Sequence, residues 1–180
     1  KGVTDPVSNT VTYYYDGIGN RTATVNANGN APERVYDDLN RLIAEADPLG
    51  NQKRYEYDDA GNLVKQIYAN GNEVRYEYDV LRRLVQAKYP DNSITYHYDA
   101  AGNRTHVIDI QGVTLYAYDA LNRVVSVTNP NGQTIGYEYD ALGRRQRLIY
   151  PDGRAVVYTY DPAGRLATVT DLSGQITQYT

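Results

Sequence analysis

The chain has 180 residues, with 22 acidic and 18 basic side chains and a formal net charge of −4. It contains 20 Tyr and 2 His but no Phe, Trp, Met or Cys. Without Cys there is no disulfide framework or cysteine nucleophile, and two His are too few for an imidazole-rich metal centre, so we predict no metal and no cofactor. The mildly acidic, mixed charge argues against a nucleic-acid partner. No apolar stretch reaches the ~18 residues that a membrane span needs, so we expect no membrane insertion.

The tyrosines follow an internal repeat, and they dominate the sequence. A Tyr-Asp pair recurs eight times, at successive intervals of 20 or 21 residues. A fixed period of this length is typical of repeat architectures. The eight pairs, which we take as the structural signature of the repeat, are Tyr15-Asp16, Tyr36-Asp37, Tyr57-Asp58, Tyr78-Asp79, Tyr98-Asp99, Tyr118-Asp119, Tyr139-Asp140 and Tyr160-Asp161.

The residues before each pair alternate between apolar and polar side chains. A second Tyr stands two residues before the paired one in seven repeats, whereas the second repeat has Arg34 there. The position two residues further back is mostly aliphatic, as at Val74 and Ile135, and polar residues such as Glu56 lie between. Alternation with period two predicts a half-buried strand, and we expect its tyrosine face to be packed.

A turn is predicted directly after each Tyr-Asp pair. The second residue past the Asp is always apolar, the third is Gly in five repeats and Asn in two, and the fourth is Arg or Asn. Gly and Asn tolerate a positive φ, so we expect the third position to be left-handed. Arg82 departs from this rule, which predicts strain or a different turn. The predicted turn glycines are Gly19, Gly61, Gly102, Gly143 and Gly164.

A second strand follows, and it ends at another turn signal such as Asn70-Gly71 or Pro151-Asp152-Gly153. We therefore predict an all-β fold: a continuous antiparallel sheet of about eight two-stranded hairpins. Open twisted sheets seldom exceed about ten strands without curling, so the sheet should curve or spiral. We treat residues 1–180 as a single repeat array. Gln175–Thr180 runs in phase with a further repeat and no polar cap is visible, so we expect truncation at both ends.

Two segments resemble a known family, the Rhs or YD repeat. These are Tyr137–Arg144, with sequence YEYDALGR, and Tyr158–Leu166, with sequence YTYDPAGRL. The family includes bacterial polymorphic toxins, shell components of insecticidal Tc toxin complexes, wall-associated proteins and teneurins. The resemblance extends from about Val11 to Thr180. It implies a β-sheet spiral wound into a hollow shell, which in the toxin members encloses a C-terminal toxic domain.

The resemblance also implies partners and a location. The partners would be further YD repeats of the same longer chain and an enclosed cargo or toxin domain. The location would be secreted or cell-surface, in a bacterial toxin-delivery setting.

The repeated Asp admits a catalytic, a calcium-binding or a structural interpretation. Eight acids in one register favour turn formation, in which the carboxylate accepts backbone N–H groups or pairs with an Arg four residues later. The nine-residue, glycine-rich period of calcium-binding β-rolls is absent. The expected ion pairs are Asp79–Arg83, Asp119–Arg123, Asp140–Arg144 and Asp161–Arg165.

Two enzymatic interpretations receive little support from the sequence. A hydrolase triad would combine His97 or His106 with a serine, but no Gly-x-Ser-x-Gly elbow surrounds any of the candidate serines. The resemblance also implies a candidate activity, aspartyl self-cleavage at an Asp-Pro-x-Gly motif followed by Leu or Trp. Asp47-Pro48 and Asp161-Pro162 match that motif only in part, so we predict no enzymatic activity. The candidate serines are Ser8, Ser93, Ser126 and Ser173.

The functional hypotheses therefore belong to different classes. The first is a non-enzymatic wall segment of a shell that encloses or presents a toxin or cargo domain. The alternative is a carbohydrate-binding adhesion module of a cell surface or wall, because exposed tyrosines can stack on sugar rings. Open edge strands would also allow copies of the chain to self-associate.

Overall fold

A computed structural model describes residues 1–6, 9–29 and 31–179. These residues form only strands, turns and irregular segments, and the predicted all-β antiparallel fold is confirmed. Within the described ranges there is no helix with the length and apolar character of a membrane span. The chain divides into two compact units, residues 1–93 and 94–180. The single array over residues 1–180 stays a prediction.

The first unit is an antiparallel sheet in which each strand pairs with the next strand along the chain. Its strands are β1 (Gly2–Thr4), β2 (Thr10–Tyr15), β3 (Arg21–Val25), β4 (Glu33–Tyr36), β5 (Leu42–Ala46), β6 (Gln52–Tyr57), β7 (Leu63–Ile67), β8 (Glu73–Tyr78) and β9 (Leu84–Lys88).

The second unit repeats the same pairing. Its strands are β10 (Ser93–Tyr98), β11 (Arg104–Asp109), β12 (Gly112–Tyr118), β13 (Val124–Thr128), β14 (Thr134–Tyr139), β15 (Arg145–Ile149), β16 (Ala155–Tyr160), β17 (Leu166–Thr170) and β18 (Ile176–Gln178).

Every Tyr-Asp hairpin carries a bulge at the same place. In the seventh repeat Glu138 pairs with Arg147, whereas Tyr139 pairs with Arg145, so Gln146 has no partner across the hairpin. The same register shift precedes the paired Tyr in all eight repeats. An extra residue on one strand bends the hairpin and increases its local twist.

The expectation of a packed tyrosine face is only partly correct. On β6 the side chains of Lys53, Tyr55 and Tyr57 are half-buried, while the residues between them are exposed. Among the described residues only Val74 and Ala87, each 2% exposed, are fully buried. Within each unit a strand contacts only its neighbours along the chain. Within each unit, the tyrosine rings of the described residues are therefore covered by side chains of adjacent strands.

The hairpins are joined by far turns, which we define as the turns at the opposite strand ends from the Tyr-Asp turns. Two of the far turns are shorter than the rest, which explains why two intervals between successive Tyr-Asp pairs have 20 residues. Most close over five residues, as where Tyr68 N–H donates to Asn72 O at 2.8 Å. The far turn between β9 and β10 is one residue shorter, with Tyr89 N–H donating to Asn92 O, also at 2.8 Å. Between β11 and β12 only two residues separate the strands.

Candidate functional site: the repeated Tyr-Asp turn

The backbone of the Tyr-Asp turn is closed by two hydrogen bonds. In the seventh repeat Asp140 N–H donates to Arg144 O, and Gly143 N–H donates back to Asp140 O, both at 2.9 Å. The third residue has a positive φ in all eight repeats, as the sequence predicts, and Arg82 adopts this turn rather than a different one. The eight left-handed residues are Gly19, Asn40, Gly61, Arg82, Gly102, Asn122, Gly143 and Gly164.

The Asp carboxylate of each pair is occupied by its own turn. Asp140 Oδ1 accepts the N–H groups of Leu142 and Arg144, both at 2.9 Å, and Oδ2 accepts Arg144 Nε at 2.7 Å. Where the fourth residue is Asn, its amide replaces the guanidinium, as Asn62 Nδ2 does for Asp58 Oδ2 at 2.8 Å. Both carboxylate oxygens are thus engaged in turn formation. Across the described ranges no three acidic or His side chains cluster as metal ligands would.

These hydrogen bonds change the acidity of the carboxylates. Hydrogen bonds from the side chain and then the backbone N–H of Arg123 hold the pKa of Asp119 below its ordinary value of 3.8. The same donors on Asn62 lower the pKa of Asp58, with a further contribution from the charge of Arg82. The lowered pKa shows that the ionised carboxylate is the form that the turn stabilises.

The four predicted Asp–Arg pairs are all formed, and there is a fifth. Each joins the Asp to the guanidinium four residues later at 2.7 Å. The pairs are Asp37–Arg41, which the sequence analysis did not name, Asp79–Arg83, Asp119–Arg123, Asp140–Arg144 and Asp161–Arg165.

Among the described residues, the paired Tyr joins six repeats to the repeat before them. Tyr139 O–H donates to the backbone carbonyl of Val124 at 2.8 Å, and Val124 is the first residue of the second strand in the preceding hairpin. We call this bond the tyrosine latch. Sequence reasoning did not find it, because a backbone acceptor has no signature; the constant offset of 14 or 15 residues was the available signal. The latches are formed by Tyr36, Tyr57, Tyr78, Tyr118, Tyr139 and Tyr160.

Arg residues of the turns add a second connection between repeats. The guanidinium carbon of Arg123 lies 4.6 Å from the ring centroid of Tyr139, and that of Arg144 lies 4.4 Å from the ring of Tyr160. Arg41 stacks in the same way on Tyr57 at 4.8 Å. Each Arg therefore pairs with the Asp of its own repeat and covers the Tyr of the next one, in a favourable cation–π geometry.

The apolar second residue of the turn is exposed rather than buried. Leu142 is 77% exposed and Ile18 is 70% exposed. Leu39, Leu81 and Leu121 have similar values of 67–71%. Large apolar side chains therefore line the Tyr-Asp edge in each unit, and contiguous exposed apolar surface often marks an interaction site.

The described residues do not bring together the hydrolase constellation considered from the sequence. His97 and His106 pair with each other across β10 and β11, with ring centroids 5.6 Å apart. Ser173 Oγ donates instead to Asp171 Oδ1 at 2.6 Å. Ser8 lies outside the described residues.

The two Asp-Pro sites are ordinary turns of this structure. Asp161 Oδ1 accepts Arg165 N–H at 2.8 Å, as in its sister repeats. Asp47 belongs to a far turn, and its Oδ1 accepts Leu49 N–H at 2.8 Å. Both carboxylates have lowered pKa values, through hydrogen bonds from Arg165 and Asn51 respectively.

A cleft of about 570 Å³ lies where the second repeat has Arg34 in place of Tyr. Glu45, Lys53 and Tyr68 also line it, and Lys53 Nζ lies 5.4 Å from the Tyr68 ring centroid. Beside it, Tyr55 O–H donates to Glu45 Oε1 at 2.6 Å, and burial together with this bond raises the pKa of Tyr55. The missing Tyr ring thus leaves a charged, partly apolar depression.

Taken together, the fold and its repeated turn define a class: an all-β hairpin-repeat protein in which Tyr and Arg side chains join neighbouring repeats within each unit. The model of the RHS repeat matches residues 36–73, 57–94, 118–155 and 147–176, which is more than half of the chain. The chain belongs to the RHS repeat family.

Solved structures support the same fold. The chain is similar to a crystal structure of TcdB2-TccC3-Cdc42, with a TM-score of 0.68 and 16% identity over 91% of this chain. Likewise, it is similar to the TcdB2-TccC3 crystal structure and to a Photorhabdus luminescens Tc holotoxin pore, each with a TM-score of 0.66 and 16% identity over 90% of this chain. The chain spans 12% of the length of these proteins. No curated protein matches it significantly.

Proposed function

We propose that the chain is a non-enzymatic wall segment of an RHS-repeat shell that encloses or presents a toxin or cargo domain. The observation that carries the proposal is the tyrosine latch, which joins six of the repeats to the repeat before them through the same backbone acceptor position. The Tyr-Asp pairs and turn glycines act in this proposal as structural elements, with no catalytic or metal-binding residue.

The mechanism of such a wall is containment. Backbone hydrogen bonds hold each strand to its neighbours, and a sheet has no gaps along its length through which a folded domain could escape. Tyr latches and Arg–Tyr stacks add contacts between repeats at one edge. The Asp carboxylates fix the turns, because every oxygen is satisfied within the turn.

The exposed apolar residues of the Tyr-Asp edge fit this role. In an isolated soluble sheet, Leu142 and Leu121 would leave large apolar surfaces in water. Further wall repeats of a longer chain, or an enclosed domain, would cover that edge. A secreted or cell-surface location in a toxin-delivery setting follows from the same proposal.

A protection experiment tests the proposal on the full-length gene product that contains these residues. Limited proteolysis, read by mass spectrometry, compares wild type with the triple variant Tyr118→Ala, Tyr139→Ala, Tyr160→Ala. We expect the wild-type wall to protect a non-repeat domain, and the variant, which lacks three latches, to release it faster.

The control replaces three exposed tyrosines that form no latch, Tyr68→Ala, Tyr89→Ala and Tyr179→Ala; these are 36%, 37% and 51% exposed in the structure. It should protect the domain as well as wild type does. Equal cleavage in the wild-type and latch-deficient proteins, or a full-length product without any non-repeat domain, would overturn the proposal.

The cleft beside Arg34 favours a second candidate, carbohydrate binding. Its volume of about 570 Å³ is suited to a small ligand. Tyr68 supplies an aromatic face, and Glu45 with Lys53 supplies polar groups that can hydrogen-bond to hydroxyls. A glycan array should then give hits that Tyr68→Ala abolishes and Tyr89→Ala retains. An array without hits, or hits unaffected by Tyr68→Ala, would remove this candidate.

Self-association is a further part of the proposal for the isolated chain. β1 pairs with β2 and β18 pairs with β17, and each could accept a strand of another copy on its other side. Light scattering should then show a mass that rises with concentration; a constant monomer mass would contradict edge pairing.

A further inference from the structure

The third and fourth residues of successive Tyr-Asp turns vary together. Whenever the fourth residue of a turn is Arg, the third residue of the next turn is Gly. Whenever the fourth residue is Asn, the third residue of the next turn is Asn or Arg. All seven consecutive pairs follow this rule: Asn20 with Asn40, Arg41 with Gly61, Asn62 with Arg82, Arg83 with Gly102, Asn103 with Asn122, Arg123 with Gly143, and Arg144 with Gly164.

Two of the four Arg-Gly pairs show a close approach between neighbouring turns. Arg123 Nη1 lies 3.6 Å from the place where a Cβ on Gly143 would stand, and Arg144 Nη1 lies equally close to that place on Gly164. The guanidinium is held by the Asp of its own turn and by the Tyr ring of the next repeat. A side chain longer than Cβ would therefore compete with a cation that has little freedom to move.

In the first Arg-Gly pair, Arg41 does not approach the Cβ position of Gly61. Nothing lies within 4 Å of the Cβ position of Gly61. Arg41 Nη1 instead donates to the backbone carbonyl of Asp58, which lies in the same turn as Gly61, at 3.2 Å. In both arrangements the guanidinium reaches the backbone region of the next turn, which carries no side chain at its third residue.

The Asn pairs show the opposite arrangement. Asn20 Nδ2 donates to Asn40 Oδ1 at 3.0 Å, and Asn103 Nδ2 donates to Asn122 Oδ1 at 2.8 Å. Asn is too short to reach the next turn's backbone, so the next turn supplies a side chain to meet it.

The remaining Asn pair explains the unusual left-handed Arg. Arg82 Nη1 donates to the carbonyl of Ala60, in the turn that contains Asn62, at 3.1 Å. The long side chain reaches back over a turn whose short fourth residue leaves room for it. A positive φ is unfavourable for Arg, and this contact offsets the strain.

We propose that these two positions form a matched interface that determines which Tyr-Asp hairpin fits beside which. An Arg-bearing turn is complementary to a neighbouring hairpin with Gly at its third residue. An Asn-bearing turn is complementary to a neighbouring hairpin that offers a polar side chain there. The rule sets the order of repeats within an array, and it holds whatever the shell encloses.

The test is a double-mutant cycle in the chain, read by hydrogen exchange of β15, the strand that follows Gly143. The variants are Gly143→Asn, Arg123→Asn and the double variant, which converts an Arg-Gly pair into an Asn-Asn pair. We expect Gly143→Asn in the wild-type chain to reduce the folding equilibrium constant of β15 about tenfold. In the Arg123→Asn background, the same substitution should reduce it by less than about threefold.

A matched control separates crowding from backbone strain. Gly153→Asn changes a far-turn glycine with nearly the same φ, 82° against 81°, and open space around its Cβ position. It should reduce the equilibrium constant by less than about threefold, because Asn tolerates positive φ.

A second double-mutant cycle makes the reverse change and converts an Asn-Asn pair into an Arg-Gly pair. Asn103→Arg alone should destabilise the neighbouring hairpin, and adding Asn122→Gly should restore it. Additive effects in both cycles, or an equal loss from Gly143→Asn and Gly153→Asn, would overturn the proposal.

Discussion

The Tyr-Asp turns and most far turns close with the same two backbone hydrogen bonds but differ in how their side chains contact the neighbouring repeat. At a Tyr-Asp turn, Asp140 N–H donates to the fourth residue and Gly143 N–H donates back to Asp140. At the far turn between β15 and β16, Tyr150 and Gly153 make the same two bonds. Within the part of the chain that the structure describes, the tyrosine latches and the Arg123–Tyr139 stack lie beside Tyr-Asp turns and reach the neighbouring repeat.

This contrast indicates which turns of the repeat can vary in length. Two far turns, between β9 and β10 and between β11 and β12, are shorter than the others. No Tyr-Asp turn has changed length, because a change there would displace a latch and a bulge together. Coupling between repeats, rather than the turn itself, fixes the length of the Tyr-Asp edge.

We expect the greatest loss of stability when two single-residue deletions, one in the turn before β15 and one in the turn after it, are compared. Deleting Gly143 should destabilise β15 by about 3 kcal/mol or more, because the register of the Tyr139 bulge is lost. Deleting Gly153 produces a turn like the natural short one at Tyr89–Asn92, and should cost less than about 1 kcal/mol. Hydrogen exchange of β15 measures both, and equal losses would contradict the comparison.

Acid should weaken the Tyr-Asp edge next. The folded pKa of Asp119 lies below its ordinary value of 3.8, so its carboxylate contributes stability above that value. This contribution is lost as the pH falls through 3.8 towards the folded pKa. The urea midpoint of the chain should therefore decrease steadily below pH 4. Asp119→Asn should flatten this dependence; a variant with the wild-type slope would show that other groups control it.

A smaller effect is expected from removing a single latch. Tyr139→Phe deletes the hydroxyl that donates to Val124 O and should destabilise β14 by about 1 kcal/mol. Tyr137→Phe is the matched control, because the described residues offer its hydroxyl no hydrogen bond, and it should be close to neutral. Urea denaturation measures the free energy of unfolding of both variants. If Tyr139→Phe leaves it unchanged, the latch hydrogen bond does not stabilise the fold.

The smallest loss of stability is expected from an ion pair on the sheet face opposite the tyrosine rings. Glu138 and Arg147 form an exposed ion pair at 2.9 Å, with side chains 46% and 41% exposed. Arg147→Ala should cost about 0.3 kcal/mol at low salt and nothing measurable in 1 M salt. Urea denaturation at both salt concentrations measures this, and a loss that persists in high salt would indicate packing by the Arg stem instead.

Much of the local structure could be predicted from single residues. The Gly and Asn at the third turn position indicated positive φ, and the spacing of Asp140 and Arg144 indicated their ion pair. The three-residue strand β1 was not predicted, since it carries too little alternation to be recognised, whereas β18 lies in the segment Gln175–Thr180 that was expected to run in phase with a further repeat. The cleft at Arg34 was visible in the sequence only as a missing Tyr.

The period of 20 or 21 residues, the all-β class and the turn chemistry could be predicted from the amino-acid sequence, because each depends on residues within one hairpin. How neighbouring hairpins contact each other became visible only in the folded structure. Tyr139 meets a backbone carbonyl 15 residues earlier, and Arg123 covers a ring in the next repeat. Those contacts depend on the 4.8 Å spacing of neighbouring strands, roughly the same in every sheet, and on a bulge that aims the Tyr side chain. Six of the 20 Tyr are thus seen to form hydrogen bonds between repeats in the described part of the chain.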